Sequence, residues 1–306
     1  HMSKQTRITS KTKGIIYLLI SAFAFACMSL FISLAGDLPV FQKAFFRNVV
    51  AAILSFILIL RSSEKFQIKK GSLPLLFLRA SFGTVGVIAN FFAISNINIA
   101  DALILNKLSP FCAVIASIFI LKEVANKRQN AAIVIAFIGA LFVIKPSFGI
   151  FSLSSSGTIF PSFIGLLGGV AAGIAYTFMR KLSLQGERSI IIVTFFSFFS
   201  CIVLLPFVIF TYKPMTGLQW LFLLGAGLCA CVGQLTITAA YAACPAKEIS
   251  VYDYTTVIFA ALLGMFFLSQ YPDIYSIIGY CIIIGASIYS YTLNRKKENS
   301  VKSNTV

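Results

Sequence analysis

The chain has 306 residues, of which 58% are apolar and 11% charged, and its mean hydropathy is +0.93. Soluble proteins average roughly 45–50% apolar and about 25% charged residues, so this composition excludes a large soluble domain. The single histidine, His1, directly precedes Met2 in the manner of a tag remnant. Without a native imidazole, Ser-His-Asp and Cys-His catalysis are disfavoured, and we predict no catalytic residue.

Long apolar runs predict an all-α integral membrane protein with ten transmembrane helices, since a helix needs about 20 apolar residues to cross a bilayer. Residues 1–13 and 294–306 are the predicted tails, and 147–158 links two halves at 14–146 and 159–293. The seven cysteines lack the paired spacing of a zinc site, so we predict neither a metal nor a cofactor. The predicted spans are 14–34, 41–60, 73–94, 99–121, 129–145, 159–179, 190–211, 218–242, 247–268 and 273–293.

The net charge of +16 is distributed in alternate loops. Nineteen of the 25 Lys and Arg residues lie in one set of exposed segments, and only Lys145 and Lys213 lie in the other. The positive-inside rule then places both termini in the cytoplasm of a multi-pass protein in the bacterial plasma (inner) membrane. Such charge orients a membrane protein and forms no basic face for nucleic acid. The predicted partners are therefore membrane lipid and a small-molecule substrate, without nucleic acid, for a monomer or a homodimer.

The fourth and ninth spans align at a constant offset of 147 residues. Asp101 then matches Glu248, Asn106 matches Asp253, and Glu123 matches Gln270. Because each half has five spans, the two halves are expected to insert in opposite senses. Inverted repeats around a central cavity are a device of secondary transporters.

Four stretches carry a family resemblance: Phe-Phe-Arg-Asn (45–48), Leu-Arg-Ala-Ser-Phe-Gly (78–83), Ala-Asp-Ala-Leu-Ile-Leu-Asn-Lys-Leu-Ser-Pro-Phe (100–111) running on to Leu-Lys-Glu (121–123), and Pro-Ala-Lys-Glu-Ile-Ser-Val-Tyr-Asp-Tyr-Thr-Thr (245–256). In their order and spacing the chain resembles the drug/metabolite transporter superfamily, in its EamA-like branch of ten spans. The resemblance covers the whole membrane region. It implies transport of a small organic metabolite through a central cavity open to one side at a time. Gln270 departs from the family pattern, where Glu is common, so a symmetric role for Glu123 does not follow.

Ionisable side chains inside the spans are the first candidate substrate ligands. Each costs about 2.5–3.5 kcal/mol on insertion scales and normally faces a cavity or a partner. Arg47, Arg79, Lys107 and Asp253 lie deepest, so three cations face one anion. This surplus indicates that a carboxylate or phosphate arrives with the substrate. Two alternatives stay open: Arg47 and Arg79 snorkel to water or lipid headgroups, or Lys107 and Asp253 form a structural ion pair between the halves.

Span four contains Pro110, which cannot donate a hydrogen bond to the carbonyl of residue 106. The helix is therefore expected to weaken beside Asn106 and Lys107. A weakened helix exposes backbone polar groups only where they line protein or a water-filled cavity. Asn106, Lys107 and Ser109 are thus candidate substrate ligands, and Pro110 is equally a candidate hinge.

Span nine places Asp253 between Tyr252 and Tyr254. Asp253 is the candidate coupling site, since it can bind a proton or an ammonium group in one state and release it in another. Both tyrosines join the candidate substrate-binding set, as do Tyr176 and Gln234, which are polar groups in otherwise apolar spans. On span six, Gly165, Gly169 and Gly173 recur every four residues, which predicts close approach of another helix.

These features predict a secondary transporter or exchanger for a small zwitterionic or anionic metabolite, such as an amino acid or an S-adenosylmethionine-like compound. A membrane-embedded lipid-modifying enzyme would need a polar catalytic cluster, which nine carboxylates and no native histidine do not supply. A non-transporting membrane scaffold would not need the ionisable residues Lys107 and Asp253 inside its spans.

Overall fold

The computed structural model describes residues 2–62, 67–122, 127–144, 156–243 and 250–303, and it contains no β-strand among them. The described residues form α-helices joined by short turns. In chain order the elements are α1 (Met2–Leu34), α2 (Val40–Arg61), α3 (Leu73–Asn96), α4 (Ile99–Asn106), α5 (Ser109–Ile120), α6 (Lys127–Ile144), α7 (Ser156–Leu184), α8 (Ser189–Thr211), α9 (Gly217–Ala243), a 3₁₀ turn (Ser250–Tyr254), α10 (Thr255–Leu268) and α11 (Ile274–Ser303).

Seven stretches are long and apolar enough to cross a membrane, with α4 and α5 counted together as 99–120, and three shorter apolar helices cover 130–144, 252–268 and 274–289. Ten crossings result, which confirms the predicted all-α membrane fold. The outermost helices are longer than predicted, because α1 begins at Met2 rather than at 14 and α11 ends at Ser303 rather than at 293. Residues 2–13 and 294–303 contain no Gly or Pro, so nothing local ends either helix where the apolar run ends.

Ten successive crossings alternate in direction, so the start of α1 and the end of α11 lie at the same end of the helix bundle. We call this end the terminal face and the other end the opposite face. Helices of one half pack mainly against helices of the other: α1 against α9, α3 against α7, α2 against α8 and α6 against α11. The short helix α4 lies inside this arrangement, and its residues from Ile99 to Leu105 are all buried.

The glycine-rich face of α7 packs directly on the junction between α4 and α5. An ideal Cβ at Gly169 would lie 2.6 Å from the Leu105 carbonyl oxygen, and one at Gly173 would lie 2.6 Å from both the Ser109 carbonyl oxygen and the Cys112 Cβ. Real Cβ atoms do not approach so closely, so only glycine permits this contact. The predicted close helix approach is confirmed, with α4 and α5 as the partners.

Gly173→Ala is expected to destabilise the folded protein by about 1–3 kcal/mol, because the added methyl group meets backbone that cannot move aside cheaply. The measurement is the melting temperature of the purified protein in detergent. Gly285→Ala on α11 is the matched control, since a Cβ there meets nothing within 4 Å. Equal melting temperatures for the two variants would contradict the close contact.

Candidate functional site

A helix break interrupts the fourth crossing at the position that Pro110 indicated. Helix α4 ends at Asn106, Lys107 and Leu108 form a turn, and α5 begins at Ser109. Pro110 lies in the first turn of α5, where a missing N–H leaves no helical bond unmade. The expected weakening is confirmed, and the helix predicted over 99–121 is divided at this point into two helices.

The ninth crossing is interrupted at the equivalent place. Ser250–Tyr254 form a 3₁₀ turn and α10 begins at Thr255, so the continuous helix predicted over 247–268 is wrong at 250–254. The hydroxyl groups of Thr255 and Thr256 donate to the carbonyl oxygens of Tyr252 and Asp253, both at 2.6 Å. Such side-chain bonds offer the backbone an alternative to the α-helical ladder. Residues 244–249, with Lys247 and Glu248, lie outside the described residues, as does Glu123.

The two breaks meet through an ion pair between the halves. Lys107 Nζ bonds to Asp253 Oδ2, and the Tyr254 hydroxyl donates to the Lys107 carbonyl oxygen at 3.1 Å. The side chains of Lys107 and Asp253 are 13% and 18% exposed, so the pair is largely buried but remains accessible from the interior. The structure therefore matches the second alternative from the sequence, an ion pair between the halves.

Arg47 on α2 is buried, with 5% of its surface exposed. Its Nη1 donates to Asn48 Oδ1 at 2.7 Å, and Asn48 is held in turn by its own Nδ2, which donates to the Ala44 carbonyl oxygen at 2.9 Å. Arg47 Nε is buried without a hydrogen-bond partner. This burial contradicts snorkelling to water, and among the described residues the side chain that accepts a hydrogen bond from this cation is a neutral amide.

Arg79 on α3 is also buried, with 7% of its surface exposed, which again contradicts snorkelling. Its guanidinium carbon lies 4.2 Å from the ring centroid of Phe196 on α8, a cation–π contact. The guanidinium group also packs over Gly83, where an ideal Cβ would overlap Nη1. Arg79 Nε and Nη1 are buried without hydrogen-bond partners.

Tyr176 on α7 connects these groups. It is within electrostatic range of Arg47, Arg79 and Asp253. The surface of Tyr176 is 44% accessible. Both facts hold if the phenol group faces an interior space bounded by the two arginines and the ion pair. We call this space the central site.

The other candidate residues lie around the helix breaks or farther away. Tyr252 is 38% exposed beside the ion pair, whereas Tyr254 is 5% exposed and bonded across the halves. Asn106 is half-buried, and Ser109 is buried against α7. Gln234 lies on α9 next to Gly233, whose carbonyl accepts a hydrogen bond from Ser21 on α1. The substrate-binding roles of these residues remain predictions.

Three residues that support the arginines were not predicted as site residues. Asn48 and Gly83 both lie inside the stretches quoted for the family resemblance, and Gly83 follows Arg79 by one helical turn. Phe196 comes from another helix, so no local spacing pointed to it. Within the described ranges, no group of three or more His, Cys, Asp or Glu side chains is placed to hold a metal.

The bundle is packed asymmetrically about the central site. At the opposite face α4 packs against α10, and α3 packs against α1 and α2. If the two halves packed in the same way, the second half would make the matching contacts at the terminal face. The 3₁₀ turn would then contact α5, and α9 would contact α7 and α8. In the part of the chain that the structure describes, none of these pairs makes a comparable contact. The contacts of α4 with α10, and of α3 with α1 and α2, therefore close the central site toward the opposite face.

Residues 12–145 and 159–292 each match the EamA-like transporter family, and both bounds of the second match lie 147 residues after those of the first. The chain belongs to the EamA-like transporter family. It is accordingly a multi-pass membrane transporter of the drug/metabolite type and not an enzyme, and the two matches confirm the repeat predicted from the sequence.

Relatives of this chain extend over nearly its whole length. The chain is 29% identical over 287 residues to the pseudopaline exporter CntI of Pseudomonas aeruginosa, a match covering 93% of this chain and 97% of the relative. It is 27% identical to solute carrier family 35 member G1 of Mus musculus, over 90% of this chain and 77% of the relative. A solved crystal structure shares the fold, with a TM-score of 0.60 at 14% identity over 94% of this chain and 99% of the other.

Proposed function

We propose that this transporter carries a small metabolite bearing at least one carboxylate, which binds between Arg47 and Arg79 in the central site. The observation that carries the proposal is the pair of buried guanidinium groups in which Arg47 Nε and Arg79 Nε and Nη1 have no acceptor among the described residues. Among the described residues, no Asp or Glu forms an ion pair with either arginine. Because a buried cation without an anion is unfavourable, an anionic cargo supplies the missing charge.

Guanidinium groups suit this task because their planar fork matches a carboxylate with two parallel hydrogen bonds. The Tyr176 hydroxyl adds a neutral donor and acceptor at the same site. Lys107 is already paired with Asp253, so the charge available to cargo comes from the two arginines. Of the predicted cargo range, this favours anionic compounds and amino acids over an S-adenosylmethionine-like compound, whose sulfonium would add another cation.

The proposed direction of transport follows from the orientation of the protein in the membrane. With both termini in the cytoplasm of a bacterial inner-membrane protein, as the loop charges predict, closure of the opposite face leaves the terminal face to load cargo from the cytoplasm. A bacterial relative named as an exporter supports movement outward. Closing this face and opening the other would exchange the packing of the two halves. In this scheme the break at Pro110 acts as a hinge and Asp253 couples transport to proton movement or substrate exchange.

Binding of matched compounds tests the carboxylate requirement. L-glutamate, L-glutamine and L-glutaminamide share one skeleton and carry two, one and no carboxylates, and further metabolites are compared as acid and amide pairs. We expect thermal stabilisation of the purified protein, and counterflow into proteoliposomes, by compounds that carry a carboxylate and not by matched amides that carry none. If across the panel no acid outperforms its amide, the proposed cargo class is wrong.

A further inference from the structure

We propose that the hydroxyl groups of Thr194 and Ser197 on α8 bind the cargo carboxylate together with Arg79. This inference rests on the proposed function, because it assigns two further ligands to the same cargo group. Thr194 is 2% exposed and Ser197 is 1% exposed. Each hydroxyl oxygen is buried without a hydrogen-bond partner in the part of the chain that the structure describes. Both residues lie inside a membrane crossing, where an unmet hydroxyl group is unfavourable unless a ligand satisfies it.

Hydroxyl side chains inside helices normally donate to the carbonyl oxygen three or four residues earlier. Thr84 on α3 does so, donating to the Ala80 carbonyl oxygen at 2.8 Å. Thr194 and Ser197 lie five and eight residues after the start of α8, so such carbonyl groups are available to both. Because neither bond forms, the two hydroxyl groups are directed away from their own backbone. In the described ranges, the other buried hydroxyl groups without a partner lie at helix starts, where no helical carbonyl precedes them: Ser72 and Ser276.

The two hydroxyl groups flank the residue on which Arg79 stacks. Phe196 lies between them in the sequence, and its ring centroid is 4.2 Å from the Arg79 guanidinium carbon. One turn farther along α8, the hydroxyl groups of Ser200 and Thr84 share a hydrogen bond of 2.6 Å, which joins α8 to α3. The unpartnered hydroxyl groups therefore lie on the stretch of α8 that packs against this guanidinium group, whose Nε and Nη1 also lack partners.

Ser197 lies on the face of α8 that is turned into the helix bundle. Leu204, which follows by seven residues and so shares this face, is 0% exposed, whereas Ile202 on another face is 70% exposed. Cys201, one turn after Ser197, is within electrostatic range of Arg47. The buried face of α8 therefore extends from the Arg79 stack toward Arg47, the two cations of the central site.

All of the unmet groups at this place can donate a hydrogen bond. Arg79 offers Nε and Nη1, Arg47 offers Nε, and each hydroxyl group adds one donor. An ionised carboxylate only accepts, and its two oxygens offer about four lone-pair sites, so it can bind a guanidinium fork and a hydroxyl group together. A neutral amide would direct its own N–H donors toward these groups. The two hydroxyl groups should therefore strengthen the preference for acids over amides.

Ligand affinity of the full chain tests this assignment. The double variant Thr194→Val with Ser197→Ala removes both hydroxyl groups with little change of shape. Ser200→Ala is the matched control, because it removes a hydroxyl group from the same helix that is already bonded within the protein. Dissociation constants for L-glutamate and for the other panel acids that stabilise the parent protein are measured by thermal shift. We expect the double variant to bind these acids about tenfold more weakly, because hydrogen bonds to a charged group are lost, and Ser200→Ala to bind them normally.

The ligand-free melting temperatures should differ in the opposite sense. The double variant should match or exceed the parent protein, because it loses buried groups that have no partner, whereas Ser200→Ala should melt lower, because Thr84 loses its bond. Unchanged affinity of the double variant, or a fall in its ligand-free stability up to failure to fold, would overturn the proposal. If the parent protein itself shows no preference for acids, the proposed cargo class is wrong and this assignment is rejected with it. The two failures are distinguishable, because only the second is seen in the parent protein.

Discussion

Arg47→Gln and Arg79→Gln are each expected to reduce transport of a carboxylate-bearing substrate by roughly 10- to 100-fold, because a hydrogen bond between charged groups contributes about 1.5–3 kcal/mol. The measurement is initial uptake into proteoliposomes at equal protein density. Arg47→Lys and Arg79→Lys should give intermediate rates, since lysine keeps the charge but loses the planar fork. Arg61→Gln is the matched control: it lies on the same helix as Arg47, is exposed, and should transport normally.

The thermal stability of the two Gln variants is expected to stay unchanged or rise while their transport falls. Each arginine is buried without an acid partner among the described residues, so its neutralisation removes an unfavourable charge from the interior. We expect the melting temperature of the substrate-free Gln variants to equal or exceed that of the parent protein. A fall in both stability and transport would indicate that the arginines hold the fold together, which would contradict their assignment as cargo ligands. Loss of function with retained stability is the pattern of a binding site.

Gly83→Ala tests whether transport depends on the position of the Arg79 guanidinium group, because the substitution leaves its charge unchanged. The added Cβ would overlap Arg79 Nη1 and lie 3.0 Å from the Phe196 ring, so the guanidinium group must move while its charge stays. Transport should fall with no loss of net charge, whereas the open-space control Gly285→Ala should be unaffected. The same result would explain why a glycine one turn after Arg79 belongs to the site.

The features predicted from sequence are those that local chemistry determines. Apolar runs give the crossings, the offset of 147 residues gives the repeat, and the missing N–H of Pro110 gives the break after Asn106. The 3₁₀ turn at 250–254 was missed because no Pro or Gly marks it. It accompanies hydrogen bonds made by Thr255 and Thr256, residues that an α-helix also accommodates.

The site itself depends on contacts between distant segments. Arg79 could be recognised as an ionisable group inside a span, but its stacking on Phe196 requires the packing of α3 against α8. The sequence also could not decide whether Lys107 and Asp253 bind cargo or pair with each other, because both interpretations involve the same two residues. Which face is closed could not be predicted at all, since one sequence must support both packings of a transporter.

Asp253→Asn is expected to abolish proton-linked transport while the protein still inserts and folds. The substitution leaves Lys107 charged and largely buried beside a neutral amide, and the cost is about 1–3 kcal/mol, because the pair is partly exposed. Lys107→Gln leaves the opposite charge without a partner and should cost a similar amount. The measurements are the melting temperature and uptake into proteoliposomes across a pH gradient. Full activity of Asp253→Asn would reject Asp253 as the coupling site.

The double variant Lys107→Gln with Asp253→Asn distinguishes coupling from a purely structural role. Removing both charges leaves neither without a partner, so stability should recover toward that of the parent protein. If the pair only joins the two halves, gradient-driven uptake recovers with stability. If Asp253 carries the coupling proton, the stable double variant still exchanges labelled for unlabelled substrate, but it no longer accumulates substrate against a gradient. We expect the second result, because the pair remains accessible from the central site and lies where both helices are broken.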